Sequence, residues 1–424
     1  MRLNFFKKKT SSSNLKEEWN NLGAKYAKAI NEMVTFAEEH GWDKWTGEEA
    51  EDGREYLADD IFKLLKEANA TGKVEEFRAD FPPSHSPLTK FLDEKAQNID
   101  HISFIENDKV VFLTGSAYEK RQAYILDGME VKKLESSIDA VGKSKRGNVF
   151  AVLKGDQIVT TQGWQGDIIH TFELTNTNGL GVTELIPFND GQKVMSVTSE
   201  GIFIISPESE KLIHPNHEEE EDEEDWGPDI DMENATLSND NNFIVVGDQC
   251  SSHRVLDDDG QEVGTIGQQS EYPHFCLFSA DDKQLITNSC HFYNGITIGV
   301  PTSKLNGIAI EEYDDNGDFI TIDEEMRVYV GLAMQDFYIL GDAYGYIKGL
   351  DKSGKQLWRH FLGSTISSIS LSDDESTLFV GTYGGILHKL RLNRGCRDTH
   401  TIGNSNLFEE FRLLLWKGEP VLRW

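Results

Sequence analysis

Leu371-Ser372-Asp373-Asp374, followed by the apolar run Leu378-Phe379-Val380-Gly381, decides how this chain is read, because the pattern returns. It recurs as Leu237-Ser238-Asn239-Asp240 before Phe243-Ile244-Val245-Val246-Gly247, and as Phe278-Ser279-Ala280-Asp281 before Leu285-Ile286-Thr287. Pro187-Phe188-Asn189-Asp190 before Val194-Met195-Ser196-Val197 is a looser copy. A second unit, apolar-Asp followed by Gly three residues after the Asp, occurs at Leu256–Gly260, Tyr313–Gly317 and Leu350–Gly354. Asp opens such turns through its side chain and Gly supplies the positive φ, so each reads as a hairpin between two short strands.

Chaining these units outward gives seven repeats of four strands, at about 101–135, 137–174, 183–214, 231–267, 273–323, 326–362 and 366–393. Residues 101 to 424 divided by seven give about 46 per repeat, close to the ~40–50 of propeller blades. The expected fold is mainly β: a seven-bladed β-propeller of four-stranded antiparallel blades over 98–424, with 394–424 closing the ring. That last piece carries Phe408, Phe411, Leu413, Leu414, Leu415, Trp416, Val421, Leu422 and Trp424, too apolar for a free tail.

Residues 14–97 read differently, as an α-helical extension. Trp19, Leu22, Tyr26, Ala29, Ile30, Met33, Val34 and Ala37 recur at helical spacing, with Asn14 as N-cap and Gly41 as stop. Further helical patterns cover about 49–68 and 74–81, with a last turn at Leu88, Phe91 and Leu92. Residues 1–13 read as a disordered basic N-terminus.

The stretch Gly349-Leu350-Asp351-Lys352-Ser353-Gly354-Lys355-Gln356-Leu357-Trp358-Arg359, with Leu378 to Leu390, resembles repeats of the pyrroloquinoline-quinone-like and WD-repeat β-propeller superfamily. The resemblance is strongest over the last two blades and implies the fold. The Gly-His and Trp-Asp dipeptides of WD repeats are absent, and the docking Trp of quinoproteins survives only at Trp358. No quinone or calcium follows from it, and no cofactor is expected.

Composition narrows the function. Lys+Arg 41 against Asp+Glu 73 gives −32, of which eight carboxylates lie in Glu218 to Asp225, leaving −24 elsewhere. Such a surface repels phosphate backbones and anionic lipid, so neither nucleic acid nor membrane is the expected partner. A basic protein surface is. The start Met1–Lys9 lacks a signal peptide's apolar core, and four Cys do not make a disulfide framework, so the expected setting is cytoplasmic.

No catalytic signature is present: neither a Gly-x-Ser-x-Gly elbow, nor a phosphate loop, nor His-Glu-x-x-His. The Glu312–Asp323 stretch overlays imperfectly on a calcium loop and reads better as a hairpin. Cys250, His253, His274, Cys290 and His291 are candidate metal ligands, since adjacent blades could bring thiols and imidazoles together, although the spacing matches no zinc signature.

The loops joining second to third strands, expected at 115–121, 154–156, 198–201, 247–254, 289–306, 341–345 and 381–385, gather aromatic groups on one face. Tyr118, Phe292, Tyr293, Tyr344 and Tyr383 are the expected partner anchors, with the long loop 289–306 setting specificity. The acidic loop 216–230, carrying Glu218, Glu219, Glu220, Glu221, Asp222, Glu223, Glu224, Asp225 and Trp226, is a second candidate contact. The leading reading is a non-catalytic protein-binding propeller, of the inhibitor or immunity type that covers a basic partner. An enzyme or ligand binder using the channel near Cys250 and His291, and a scaffold in a larger complex, are the alternatives.

Overall fold

The computed structural model describes residues 12–135, 137–175, 181–216, 230–314, 317–395 and 397–424. Seven antiparallel sheets, each running outward in sequence order, form blades at 99–133, 140–173, 182–214, 234–266, 272–323, 328–361 and 366–423. The first strand of each blade lies innermost, against the first strands of its two neighbours, and together these seven strands line the central channel.

The repeated turn has a common chemistry. In Ser238, Ser279 and Ser372 the hydroxyl donates to the Asp two residues on (2.7, 2.8 and 2.6 Å). The same oxygen accepts the N–H five residues on, at 3.0 Å in all three. The chain reverses through a left-handed residue, Asn241, Asp282 or Glu375. Blade 3 has Phe188 where the others have Ser, and turns through Gly191 at φ 71° instead, which accounts for its looser sequence. In the second unit, Asp257 and Asp351 each accept two backbone N–H groups of the following turn.

The strands on either side of the third copy, Ala309–Ile310 and Ile320–Asp323, do not pair with each other, and residues 315 and 316 of that copy lie outside the described residues. The second and third strands of blade 5 run long, Gln284–His291 and Asn294–Pro301, and the insertion follows them. Within it Ala309–Ile310 pairs in parallel with the outer strand of blade 4, and the chain returns to blade 5 at Ile320–Asp323. Leu305, Ile308 and Ile310 bury themselves between blades 4 and 5, so hydrophobic cover decides where this segment goes.

The ring closes where the innermost strand of blade 7 meets that of blade 1. Ser368 and Ser370 hydroxyls accept the Ile102 and Phe104 N–H groups (both 3.0 Å), and Ser367 donates to the Ile99 carbonyl (2.6 Å). The C-terminal segment supplies two outer strands of blade 7, Phe408–Leu414 and Leu422–Arg423. Its Phe411, Leu413 and Leu415 pack with Ile99, Phe104 and Phe112 of blade 1. Below them Asp108 of blade 1 holds Lys389 (3.2 Å) and Arg391 (2.8 Å) of blade 7.

The other face of that segment receives the helices. Helix α1 spans Ser12–His40, α2 Ala58–Thr71, α3 Val74–Asp80 and α4 Leu92–Lys95. Trp19, Ile61, Leu65 and Phe77 share one core with Leu414, Trp416, Leu422 and Trp424. Trp424 Nε1 donates to the Phe81 carbonyl (2.8 Å), and the Asn69 amide pairs with the Arg423 backbone like a neighbouring strand (2.9 and 2.8 Å). Asn31 on α1 does the same for Thr401 and Gly403 (both 2.8 Å).

Helix α1 begins two residues before the expected cap Asn14. It stops, as expected, at Gly41 with φ 94°. α2 starts later than the sequence pattern implied, because Asp52 accepts the Arg54 backbone N–H (3.1 Å) and its guanidinium (2.8 and 2.7 Å), holding that turn out of helix. Among the described residues no helix is long and apolar enough to cross a membrane.

Candidate protein-binding face

The second-to-third-strand loops and the blade-to-blade connections emerge on one face, which we call upper, and brace each other through backbone hydrogen bonds. Gly115 donates to Asn98, Gly181 to Ala117, Ile230 to Ser199, Gln249 to Asp231, and Tyr383 to Thr365, at 2.6–3.0 Å. The five aromatic candidates of these loops are all exposed: Tyr118 by 63%, Phe292 by 74%, Tyr293 by 60%, Tyr344 by 52% and Tyr383 by 45%. Four of them belong to blades 5, 6 and 7. There the Tyr293 and Tyr344 rings approach to 5.5 Å, and Tyr383 meets Tyr329 at 5.9 Å.

Arg327, in the connection between blades 5 and 6, organises this patch. Its guanidinium lies 4.9 Å from the Tyr329 ring, donates to the Phe292 carbonyl (2.7 Å), and donates to His274 Nε2 (3.0 Å). His274 in turn donates Nδ1–H to the Val328 carbonyl (2.8 Å). Burial first, and Arg327 second, push the His274 pKa down to about 4, so the ring stays neutral and accepts. The helical extension adds a member: Trp42, half exposed, donates to Glu325 (3.3 Å), whose carboxylate also acts on Tyr344. Arg327, Tyr329 and Trp42 are absent from the sequence reading, since nothing in their local sequence marks a face.

The loop expected at 289–306 shrinks to a two-residue turn, Phe292-Tyr293, between paired His291 and Asn294. Phe292 has φ 52°, in the left-handed region where a bulky residue is an outlier and Gly or Asn is usual. The ring gains little packing for that strain, being the most exposed of the large apolar side chains in the described residues.

The five Cys and His candidates separate. Successive residues of a strand face opposite ways, so Cys290 is buried in blade 5 while His291 points out against Phe292 at 4.5 Å. His253 is buried and donates to Asn234 Oδ1 (3.1 Å), its pKa pushed down to about 3 by burial, helped by His214 and His274. Cys250 sits in the exposed loop after blade 4's second strand, its N–H on Asp248 (2.7 Å). Among the described residues no three His, Cys, Asp or Glu side chains converge as metal ligands would. The acidic candidates Glu218–Asp225 and Trp226 lie outside the described residues.

No protein-family model matches the chain, and no curated protein matches it. Among solved structures it is similar to the computationally designed Ika8 protein, with 13% identity, 70% of this chain and 97% of that chain covered, and a TM-score of 0.46.

Proposed function

We propose that this chain is a non-catalytic binding protein whose upper face docks a protein with a basic surface. The observation that carries the proposal is Phe292. A residue held in a sparsely populated backbone region costs ~1–3 kcal/mol, and such strain persists where function uses it. Here the strained residue is a phenyl ring offered to solvent, beside Tyr293 and Tyr344, over an arginine that grips its carbonyl. Aromatic clusters of this kind are the usual centres of protein interfaces.

Charge supplies the partner's chemistry. With −32 overall, the field draws in a cationic surface and turns away nucleic acid. In its narrowest form the reading is an inhibitor or immunity-type protein that covers the working face of a basic enzyme such as a nuclease. The likeness of the last two blades to quinone-type and WD repeats bears on the scaffold alone, and four cysteines in 424 residues suit a reducing, cytoplasmic setting.

Binding kinetics on a partner captured at low salt test this. Replacing Glu218–Asp225 by Gly and Ser lowers the on-rate, because the acids steer. Tyr344→Ala or Tyr293→Ala raises the off-rate by a factor equivalent to ~1–3 kcal/mol. Unchanged rates in both sets reject the proposal.

A further inference from the structure

We propose that the seam between the helical extension and blades 6 and 7 is an acid-operated latch, in which proton uptake by His85, His388 and His400 frees the helices as a unit while the ring of blades stays closed. The inference is independent of what the upper face docks. Hydrophobic cover holds the seam, through the core that Trp19, Ile61, Leu65 and Phe77 share with Leu414, Trp416, Leu422 and Trp424. Imidazoles are concentrated beside it. Among the described residues four histidines bury a ring nitrogen that has no hydrogen-bond partner, and three of the four belong to this seam: His85 Nδ1, His388 Nε2 and His400 Nδ1. A proton added to such a nitrogen is a buried charge with no acceptor, which is costly.

Each ring touches both sides of the seam or a group that does. His85 follows Pro82-Pro83 after α3 and packs on the backbone of blades 6 and 7: a Cβ at Gly363 would fall 2.2 Å from the His85 Cβ, and one at Gly384 3.2 Å from its Cε1. His388, in the third strand of blade 7 (Ile386–Arg391), donates Nδ1–H to Glu409 (2.6 Å). The same carboxylate accepts from Arg412 (2.8 and 3.0 Å) and from Arg78 of α3 (3.1 Å). His400 presses on α1 at Gly23, where a Cβ would meet its Nδ1 at 3.0 Å and the Arg54 guanidinium at 2.4 Å. Glycine weakens a helix interior, and here that close approach requires it. Arg54 also donates to Ser84, next to His85 (2.7 Å), which ties the parts of the latch together.

The charges around these rings oppose a second cation. His85 faces Arg412 and His388; His388 faces Arg412, Arg78, His85 and His360, with Glu409 as its anion; His400 faces Arg54 and Asp398. Burial is the largest effect at each ring. With the arginines it holds all three below the ordinary imidazole value, His85 at about 3, despite Glu409 at His388 and Asp398 at His400. Glu409 gives little relief, because His388, Arg412 and Arg78 already share its charge. A ring regains its ordinary proton affinity only when the helices lift away. The seam therefore keeps its full strength above about pH 6.5 and loses it as pH falls toward about 3. His101, His253 and His274 are depressed as well, but freeing them means opening blades 1, 4 and 5 of a closed ring, whereas the helices part along one core.

Hydrogen exchange by mass spectrometry on the full chain, at about pH 7 and about pH 5 and corrected for intrinsic exchange rates, tests the latch. Protection in α2 and α3 falls at least about twentyfold between the two, the factor that His85 alone supplies when a pKa of about 3 returns to 6.5. The blade 2 strands Val149–Lys154 and Gln157–Gln162 remain the slower to exchange at about pH 5. His85→Gln keeps a polar side chain that does not titrate, so the fall in α2 and α3 shrinks by about that same factor. If His85→Gln already exposes the helices at pH 7, His400→Gln takes its place, and its fall is smaller than that of the wild type. Unchanged protection of α2 and α3 at about pH 5 overturns the latch. So does loss of the helices and blade 2 together, and so does an equal fall in the wild type and the histidine variant.

Discussion

Trp424→Ala is the perturbation that most sharply probes how the helices are held. The indole is fully buried, packs against Trp19 (6.1 Å between ring centroids) and Phe77 (5.7 Å), and donates to the Phe81 carbonyl. Truncating a buried Trp to Ala costs about 3–5 kcal/mol, and the lost hydrogen bond about 1 kcal/mol more. The sum, about 4–6 kcal/mol, is borne where the two parts meet and not by the ring of blades. It is enough to let the helices open as a unit while the blades stay folded. Hydrogen exchange followed by mass spectrometry reads this directly. Protection in α2 and α3 falls by about three to four orders of magnitude, while the middle strands of blade 2, Val149–Lys154 and Gln157–Gln162, keep theirs. Equal loss in blade 2 would refute the argument, and so would unchanged protection in α2, because either result means the indole does not join the extension to blade 7.

Three further outcomes follow from the same geometry. Asp108→Asn removes an anion that faces the buried Lys389 and the partly buried Arg391 across the ring closure; since Glu410 still serves both cations, the loss is on the order of 2 kcal/mol, read as a lower melting midpoint. On acidification from pH 6.5 to about 5, thermal stability falls: burial depresses His85 and His253 to about 3 and His101, His274 and His360 to about 4, so the unfolded chain takes up protons there that the native state refuses. Glu184 and Asp342, raised to about 7 and about 6, act with the opposite sign but are fewer, and a flat or rising melting midpoint in this window contradicts the assignment. Phe292→Gly relieves left-handed strain and removes an exposed ring, so it leaves the melting midpoint unchanged or raises it, and a clear drop means the phenyl is needed for packing.

The blades were legible because their turns carry their own chemistry. Ser238, Ser279 and Ser372 each close a six-residue turn within reach of their own side chain, so the motif and the geometry are the same object. The insertion after Pro301 was not legible. The turn before it, Phe292-Tyr293, lacks the Gly or Asn that advertises a positive φ, so the long hairpin of blade 5 reads as a loop. The parallel pairing of Ala309–Ile310 with blade 4 is a contact between distant parts of the chain that no local pattern announces. The Cys and His candidates do not group among the described residues because Cys290 and His291 alternate across a sheet, one buried in blade 5 and the other exposed. The helical face was visible at Trp19, but its cover, Trp416 and Trp424, is some 400 residues away. Arg327 shows the limit for the site, since its role comes from Phe292, Tyr329 and His274 meeting around it in space.

The central claim, that the upper face docks a basic protein through its strained aromatic turn, is tested most directly by affinity capture with matched baits. Wild-type chain and Phe292→Gly, compared at equal loading and low salt in extract of the native cell, are eluted with rising salt, and the eluates compared by mass spectrometry. The account predicts a basic protein that elutes as salt rises from the wild type and is depleted at least about tenfold from the variant, whose fold is intact. The same proteins held equally by both baits would contradict it.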